Sequence, residues 1–308
     1  MQTDICPKRV RYIKLGREGK WEHECRDQGI IRFGFGSAND ERFPICKSGD
    51  WDQLTESFLA AGKDKGTATR FTNETRHFFE DDGTTLWITF MTDRLLWGFL
   101  SPEPAERHKD GDGVFRRVVG GWRFTDSNGE PLNKSNLSGA LTKLAAYRGT
   151  SCDVDVADYV IRRINGKKRD EVETAIAALS NLTSATVAMM KHLTPKDFEI
   201  LVDLVFSTSG WRRVGMVGGT QKTLDLDLVL PSTGERAFVQ VKSKTDQDNL
   251  ADYIEKLSEM DCYDRMFFVY HSGNVQSSNE RVTAIGPDQL AKMVIEAGLV
   301  TWLIHKAS

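Results

Sequence analysis

The stretch TLDLDLVLPSTGERAFVQVKSKT, residues 223–245, decides the fold of the C-terminal part of the chain. Two strand-like runs flank the sequence PSTG at 231–234, whose residue types favour a tight turn. Side chains alternate between the two faces of a strand, so the leucines and valines of this stretch, apart from Val229, share one face. The sequence therefore predicts a hairpin that brings Asp227, Gln240 and Lys242 together on the opposite face.

These three side chains suggest a metal site. Carboxylate and amide oxygens are hard ligands that suit Mg²⁺, and Mn²⁺ is expected to substitute for it. A lysine beside the ion can neutralise the charge that develops on a phosphate during its transfer. Asp225 is a possible second metal ligand on the same face. The alternative interpretation is a solvated hairpin face on which the aspartate and the lysine contact only water.

The hairpin is surrounded by a pattern of alternating helices and strands. Thr194 is a suitable N-cap, and Pro195 follows it at the first helical position of LTPKDFEILVDLVF, residues 193–206. Further runs predict strands and helices in the order helix, three strands, helix, strand, helix and strand. The last of these strands is expected at residues 300–304. Alternation of this kind predicts an α/β sheet with crossover helices.

The spacing D-x(12)-QxK, preceded by a helix that carries a glutamate, resembles the PD-(D/E)XK nucleases in the QxK variant of Mrr-like restriction endonucleases. The resemblance covers residues 193–308 and includes a glycine-rich turn at 218–220. It implies a restriction-endonuclease-like α/β domain that hydrolyses phosphodiester bonds with Mg²⁺. By resemblance, the catalytic residues are Asp227, Gln240, Lys242 and Glu199. The metal ligands are Asp227, Gln240 and Asp225.

The N-terminal part has a different pattern. Short aromatic and β-branched runs, with a hairpin expected over 85–100, predict a small mixed β-barrel with two or three helices. It loosely resembles the PUA-like superfamily, which includes the EVE, YTH and SRA readers of modified bases. That resemblance implies an aromatic base-binding pocket, for which the candidates are Trp21, Trp87, Trp97 and Phe33. The candidates for contact with the DNA backbone are Lys14, Arg17, Arg116 and Arg117.

The predicted class is therefore α+β or α/β with three parts. Residues 1–136 form a PUA-like β-barrel domain that senses a modified base or ligand, residues 137–192 form a helical connector, and residues 193–308 form the nuclease domain. Tryptophans of the N-terminal hairpin are also compatible with simple core packing, and the basic residues near the N-terminus with a solvated face. We expect a homodimer, because two cuts in a duplex need two active sites.

Composition limits the remaining possibilities. The 308 residues carry 41 Lys and Arg against 44 Asp and Glu, so any contact with a polyanion must use local patches. No apolar run is long enough for a membrane span or a signal peptide, and the five cysteines form no CxxC pair. We therefore expect a cytoplasmic protein with reduced thiols and no membrane partner.

These features together predict a modification-dependent restriction endonuclease that cleaves double-stranded DNA carrying modified cytosine, as part of a defence system. The first alternative is a nuclease effector that a nucleotide or a protein signal activates. The second is a catalytically inactive DNA-binding module that retains the nuclease fold.

Overall fold

The computed structural model describes residues 4–35, 39, 41–214 and 224–308. The chain divides into two compact units, residues 1–169 and 170–308. The segment 137–192, predicted as a connector, is thus shared between them. The described residues form eleven α-helices and three β-sheets, which confirms a mixed α and β class. The glycine-rich turn expected at 218–220 lies outside the described residues.

Among its described residues, the first unit contains two small sheets and six α-helices. Its strands are β1 (Arg9–Ile13), β2 (Ile30–Phe33), β3 (Thr85–Met91), β4 (Arg94–Phe99), β5 (Glu106–Arg107), β6 (Val114–Arg117) and β7 (Ser151–Asp153). Its helices are α1 (Glu22–Gln28), α2 (Arg42–Ser48), α3 (Trp51–Ala60), α4 (Lys65–Phe79), α5 (Gly139–Thr142) and α6 (Ala157–Ile164).

The strands of the first unit are ordered β4-β3-β1-β7 in one sheet and β2-β6-β5 in the other. The predicted hairpin is confirmed as β3 and β4, which pair antiparallel on either side of a two-residue turn. Within the described residues, neither sheet closes on itself, so the expected barrel is not observed. Residues 115–124 do not form one continuous strand, because β6 ends at Arg117 and a turn with two left-handed glycines, Gly120 and Gly121, follows.

Where the structure describes it, the second unit contains one five-stranded sheet covered by helices. Its helices are α7 (Asp170–Met190), α8 (Pro195–Thr208), α9 (Gln247–Ser258), α10 (Pro287–Glu296) and α11 (Val300–Ala307). Its strands are β8 (Arg212–Arg213), β9 (Leu226–Leu230), β10 (Glu235–Lys244), β11 (Arg265–Ser272) and β12 (Val282–Ile285).

The sheet of the second unit has the order β12-β11-β10-β9-β8, so that β10 is its central strand. β10 pairs antiparallel with β9 and parallel with β11, and β11 pairs parallel with β12. Apolar side chains of the hairpin pack on α8, which is capped by Thr194 as predicted. The expectation of a strand at 300–304 was wrong, because this run forms the helix α11, whose buried Leu303 packs in the same core.

Candidate functional site

The hairpin of β9 and β10 determines which polar side chains meet. Its four-residue turn at 231–234 places Gly234 at φ 75°, a left-handed conformation that favours glycine. With this turn, Phe238 pairs with Asp227, and Val239 pairs with Leu226. Asp227 therefore lies opposite Phe238, two residues further along the chain than the position opposite Gln240. The residue on the β9 side that reaches Gln240 is Asp225.

Asp225 and Gln240 form a direct contact at the edge of the hairpin. The Gln240 Nε2 donates a hydrogen bond to the Asp225 Oδ2, and the Val241 N–H donates to the same oxygen at 2.7 Å. Gln240 is only 3% exposed, and its Oε1 has no hydrogen-bond partner among the described residues. A buried acceptor without a partner is unfavourable by about 1–3 kcal/mol, so this oxygen is suited to accept a ligand.

Lys242 on β10 and Glu199 on α8 both shift the pKa of the Asp225 carboxylate. Burial raises the pKa of Asp225 above its ordinary value of 3.8, and the negative charge of Glu199 on α8 raises it further. The Val241 N–H and the Lys242 ammonium act in the opposite direction. The Lys242 Nζ also lies 5.1 Å from the centroid of the Tyr253 ring, which fixes its side chain against α9. Three of the other predicted residues, Glu199, Gln240 and Lys242, thus interact with Asp225.

Asp227 has a different environment. Its carboxylate is 9% exposed and forms an ion pair with the Arg236 guanidinium, with contacts of 3.2 and 3.3 Å from Nη2. Burial, followed by the charge of Asp227, raises the pKa of Tyr263 to about 12. The structure therefore places Asp227 in a local ion pair and not beside Gln240. Its assignment as the principal metal ligand stays a prediction, and the geometry favours Asp225 for that role.

The oxygen atoms around Gln240 fit a hard divalent cation. Asp225 and Glu199 supply carboxylates, and the Gln240 Oε1 is a buried amide oxygen that lacks a partner. In the described part of the chain, no group of three or more His, Cys, Asp or Glu side chains is arranged to hold a metal ion. The protein thus offers few charged ligands, so that phosphate oxygens would have to complete the coordination of Mg²⁺.

In the first unit, most of the predicted base-binding residues belong to the hydrophobic interior. Trp87 and Phe33 are fully buried, and Trp97 is 1% exposed. The Trp97 Nε1 donates to the Thr125 carbonyl at 2.9 Å, so that its polar edge is also satisfied. These three residues form core and do not line a pocket, because aromatic content by itself does not distinguish a ring that packs from a ring that stacks on a ligand.

The two arginines that were predicted for DNA contact differ sharply. Arg116 is 3% exposed, and its guanidinium donates hydrogen bonds to four backbone carbonyls. Those carbonyls belong to Phe78, Asp81, Ser101 and Glu103. Arg116 therefore stabilises the interior, whereas its neighbour Arg117 is exposed.

Trp21, Lys14 and Arg17 do meet at one place. They line a cavity of about 310 Å³ together with the cationic side chains of Lys20 and Arg148. Sequence reasoning missed Arg148, which lies in a loop more than a hundred residues away from the others. The Lys14 N–H donates to the Thr150 carbonyl at 2.8 Å, and this pairing brings the two segments together.

An ion network centred on the buried Arg32 contacts Trp21, a residue that lines this cavity. The Arg32 guanidinium lies 4.6 Å from the centroid of the Trp21 ring and forms ion pairs with Glu24 at 2.5 Å and Asp110 at 2.8 Å. His108 lies between the same two carboxylates, at 3.0 and 2.8 Å. Partial burial opposes ionisation of Asp110, but hydrogen bonds from Asp112, His108 and Arg32 hold its pKa well below the usual range. The network fixes the orientation of Trp21.

Comparisons with protein-family models, with curated proteins and with solved structures found no match to this chain. Among the described residues, no helix combines the length and the apolar character that crossing a bilayer requires.

Proposed function

We propose that the second unit is a Mg²⁺-dependent endonuclease of the PD-(D/E)XK type that hydrolyses phosphodiester bonds in DNA. The observation that carries the proposal is the buried Gln240, whose amide nitrogen binds Asp225 while its Oε1 stays without a partner. Lys242 follows two residues later on the same strand face. A purely structural glutamine would be expected to satisfy both ends of its amide.

Each residue has a role that its surroundings support. Asp225, the Gln240 Oε1 and Glu199 would hold the cation, and the hydrogen bond from Nε2 keeps the Gln240 amide next to the Asp225 carboxylate. Bound Mg²⁺ supplies the positive charge that polarises a phosphoryl group. The Lys242 ammonium donates hydrogen bonds to the phosphate, where it balances the charge that develops in the transition state. Asp227 maintains the hairpin through Arg236.

The proposed substrate is double-stranded DNA that carries modified cytosine. In this proposal the first unit is a PUA-like domain that senses the modification, the second has the restriction-endonuclease-like fold, and a cytoplasmic homodimer makes the two cuts of a double-strand break. The second candidate is an effector nuclease that a nucleotide signal activates. The cation-lined cavity around Trp21 favours this candidate, because phosphate groups complement such a lining.

A plasmid cleavage assay tests the catalytic assignment. With Mg²⁺, the wild-type protein is expected to cut, while Asp225→Asn and Lys242→Ala each reduce the rate at least about a hundredfold, the loss typical for a charge-stabilising group. Lys256→Ala is the matched control, since Lys256 also contacts the Tyr253 ring, at 4.3 Å, but lies on α9 and not on β10. Equal rates for the wild type and the Lys242→Ala variant would refute the proposal.

The same assay distinguishes the two candidate functions. Plasmids with and without modified cytosine are compared in the absence of added nucleotide, and then again with nucleotides present. Cleavage that depends on the modification supports the restriction enzyme. Cleavage that begins only when a nucleotide is added supports the effector. Absence of cleavage under every condition, with DNA binding retained, supports the inactive DNA-binding module.

A further inference from the structure

The cavity around Trp21 in the first unit has a strong excess of positive charge. Lys14, Arg17, Lys20 and Arg148 line it, and Asp112 is the one carboxylate in its lining among the described residues. Lys20 forms an ion pair with Asp112 at 2.6 Å. In the described part of the chain, the side chains of Lys14 and Arg148 form no hydrogen bond and no ion pair. Two cations are thus available to an anionic ligand.

The Trp21 ring is poorly placed to stack on a base. It is 8% exposed, with the Lys20 ammonium 4.5 Å and the Arg32 guanidinium 4.6 Å from its ring centroid. Cations already occupy the π surface on which a base would have to stack. Trp21 therefore lines the cavity and positions Lys20. The cationic side chains determine which ligands the cavity can bind.

The backbone around the cavity is tightly constrained. Gly16 has φ 81°, and a Cβ at this position would lie 2.8 Å from the Lys20 side chain and 3.0 Å from the Trp21 ring. Two residues with side chains also adopt left-handed conformations here, Glu18 at φ 55° and Phe35 at φ 62°. Strained backbone of this kind persists where the surroundings hold it, and it is concentrated at ligand sites. The constraint is independent of the charge and indicates a preformed cavity.

We propose that this cavity binds the phosphate groups of a nucleotide or of DNA. Guanidinium and ammonium groups donate charge-assisted hydrogen bonds to phosphate oxygens, and Arg148 can make two of them in parallel. A volume of about 310 Å³ accommodates one or two phosphate groups with part of a sugar. The ligand is thus a phosphate-bearing molecule, whose source is either a free nucleotide or the phosphodiester backbone. The inference depends on the first unit alone and does not require the nuclease to be active.

Isothermal titration calorimetry of the full chain tests the proposal. The Asp225→Asn variant is used with a chelator, so that neither metal nor cleavage contributes to the signal. Tripolyphosphate, ATP and a short DNA duplex are titrated separately. We expect at least one to bind, with an affinity that falls as salt rises. Arg148→Gln and Lys14→Met should each weaken that binding about tenfold or more, because each removes a charge-assisted contact.

Arg94→Gln is the matched control, because Arg94 lines a different cavity of the same unit and should leave binding unchanged. Binding of ATP and tripolyphosphate identifies a free nucleotide as the source, while binding of the duplex alone identifies the phosphodiester backbone. Absence of binding by all three probes overturns the proposal, as does equal weakening by Arg94→Gln. If Arg148→Gln fails to fold by circular dichroism, Arg148→Lys replaces it and must still weaken binding, because it loses the bidentate geometry.

Discussion

Replacing Gln240 by glutamate tests the proposed metal centre through stability alone. In the wild type, the Gln240 Nε2 donates to the Asp225 carboxylate in a site that is 3% exposed. Gln240→Glu keeps the size of the side chain but replaces this donor with a second negative charge. Without a cation, two carboxylates then oppose each other next to Glu199. With a cation, the same pair becomes a better ligand set.

The expected cost follows from the geometry. Two like charges about 4 Å apart at an effective dielectric constant of about 20 repel by roughly 4 kcal/mol. The folded variant can avoid this repulsion by binding one proton. Near pH 8, keeping a carboxyl protonated costs roughly 5 kcal/mol when its pKa in the unfolded chain is about 4.3, so the repulsion is the smaller penalty at that pH. Because the variant carboxyl has a raised pKa in the folded protein, the destabilisation grows as pH rises above its unfolded pKa. We expect a loss of about 4 kcal/mol near pH 8 that shrinks by about 1.4 kcal/mol per pH unit in the range where that proton is bound.

Urea denaturation measures these changes, near pH 8 and near pH 5, with a chelator and with Mg²⁺. Binding of Mg²⁺ to the folded variant should restore about 2.7 kcal/mol when the cation is present at about a hundred times its dissociation constant. Gln289→Glu is the control, because Gln289 is exposed on α10 in the same unit. The loss of stability in this variant should depend neither on pH nor on Mg²⁺. A Gln240→Glu variant whose stability does not respond to pH or to Mg²⁺ would refute the site.

Three further predictions concern stability, catalysis and ionisation. Arg116→Met should lower the free energy of unfolding by about 2–4 kcal/mol, because it leaves buried carbonyls without a donor; urea denaturation should show no such loss for the same change at the exposed neighbouring arginine. At subsaturating Mg²⁺, where protons compete with the cation for Asp225, the cleavage rate should fall on acidification at a pH above 3.8, because the pKa of Asp225 in the metal-free site is raised, and Glu199→Gln should move this fall to lower pH; a pH–rate profile that does not move contradicts the coupling. Asp227→Asn should lower the pKa of Tyr263 below about 12 in a spectrophotometric titration and should spare cleavage; loss of cleavage with the fold intact would return the ligand role to Asp227.

The hairpin could be predicted from the sequence because a strand has a simple period. Leucine and valine alternation identified the face that packs on α8, and the turn residues located the reversal. The same period could not identify the aspartate that reaches Gln240, since Asp225 and Asp227 are separated by one full repeat and satisfy it equally well. Pairing of Phe238 with Asp227 is fixed by the turn and by the bonds between the strands.

Other differences arise from tertiary packing. The run at 300–304 has strand-like composition, but it forms a helix because Leu303 can bury against the core in that conformation. Trp87 and Trp97 could not be separated from pocket residues by their type alone, since burial depends on the surrounding sheet and helices. Arg148 was missed because its position in the cavity depends on a backbone pairing between distant segments. Trp21 lines the cavity, but Lys20 and Arg32 lie against the ring that was predicted to stack on a base.

The position of β10 at the centre of its sheet has a consequence for how activity is lost. Gln240 and Lys242 lie on the central strand, which pairs with β9 over residues 235–239 and with β11 over residues 237–244, and such strands open to hydrogen exchange mainly through global unfolding. Heat or denaturant should therefore not inactivate the protein before its main cooperative transition. The amide protons slowest to exchange with deuterium should belong to the same strand as the proposed catalytic lysine.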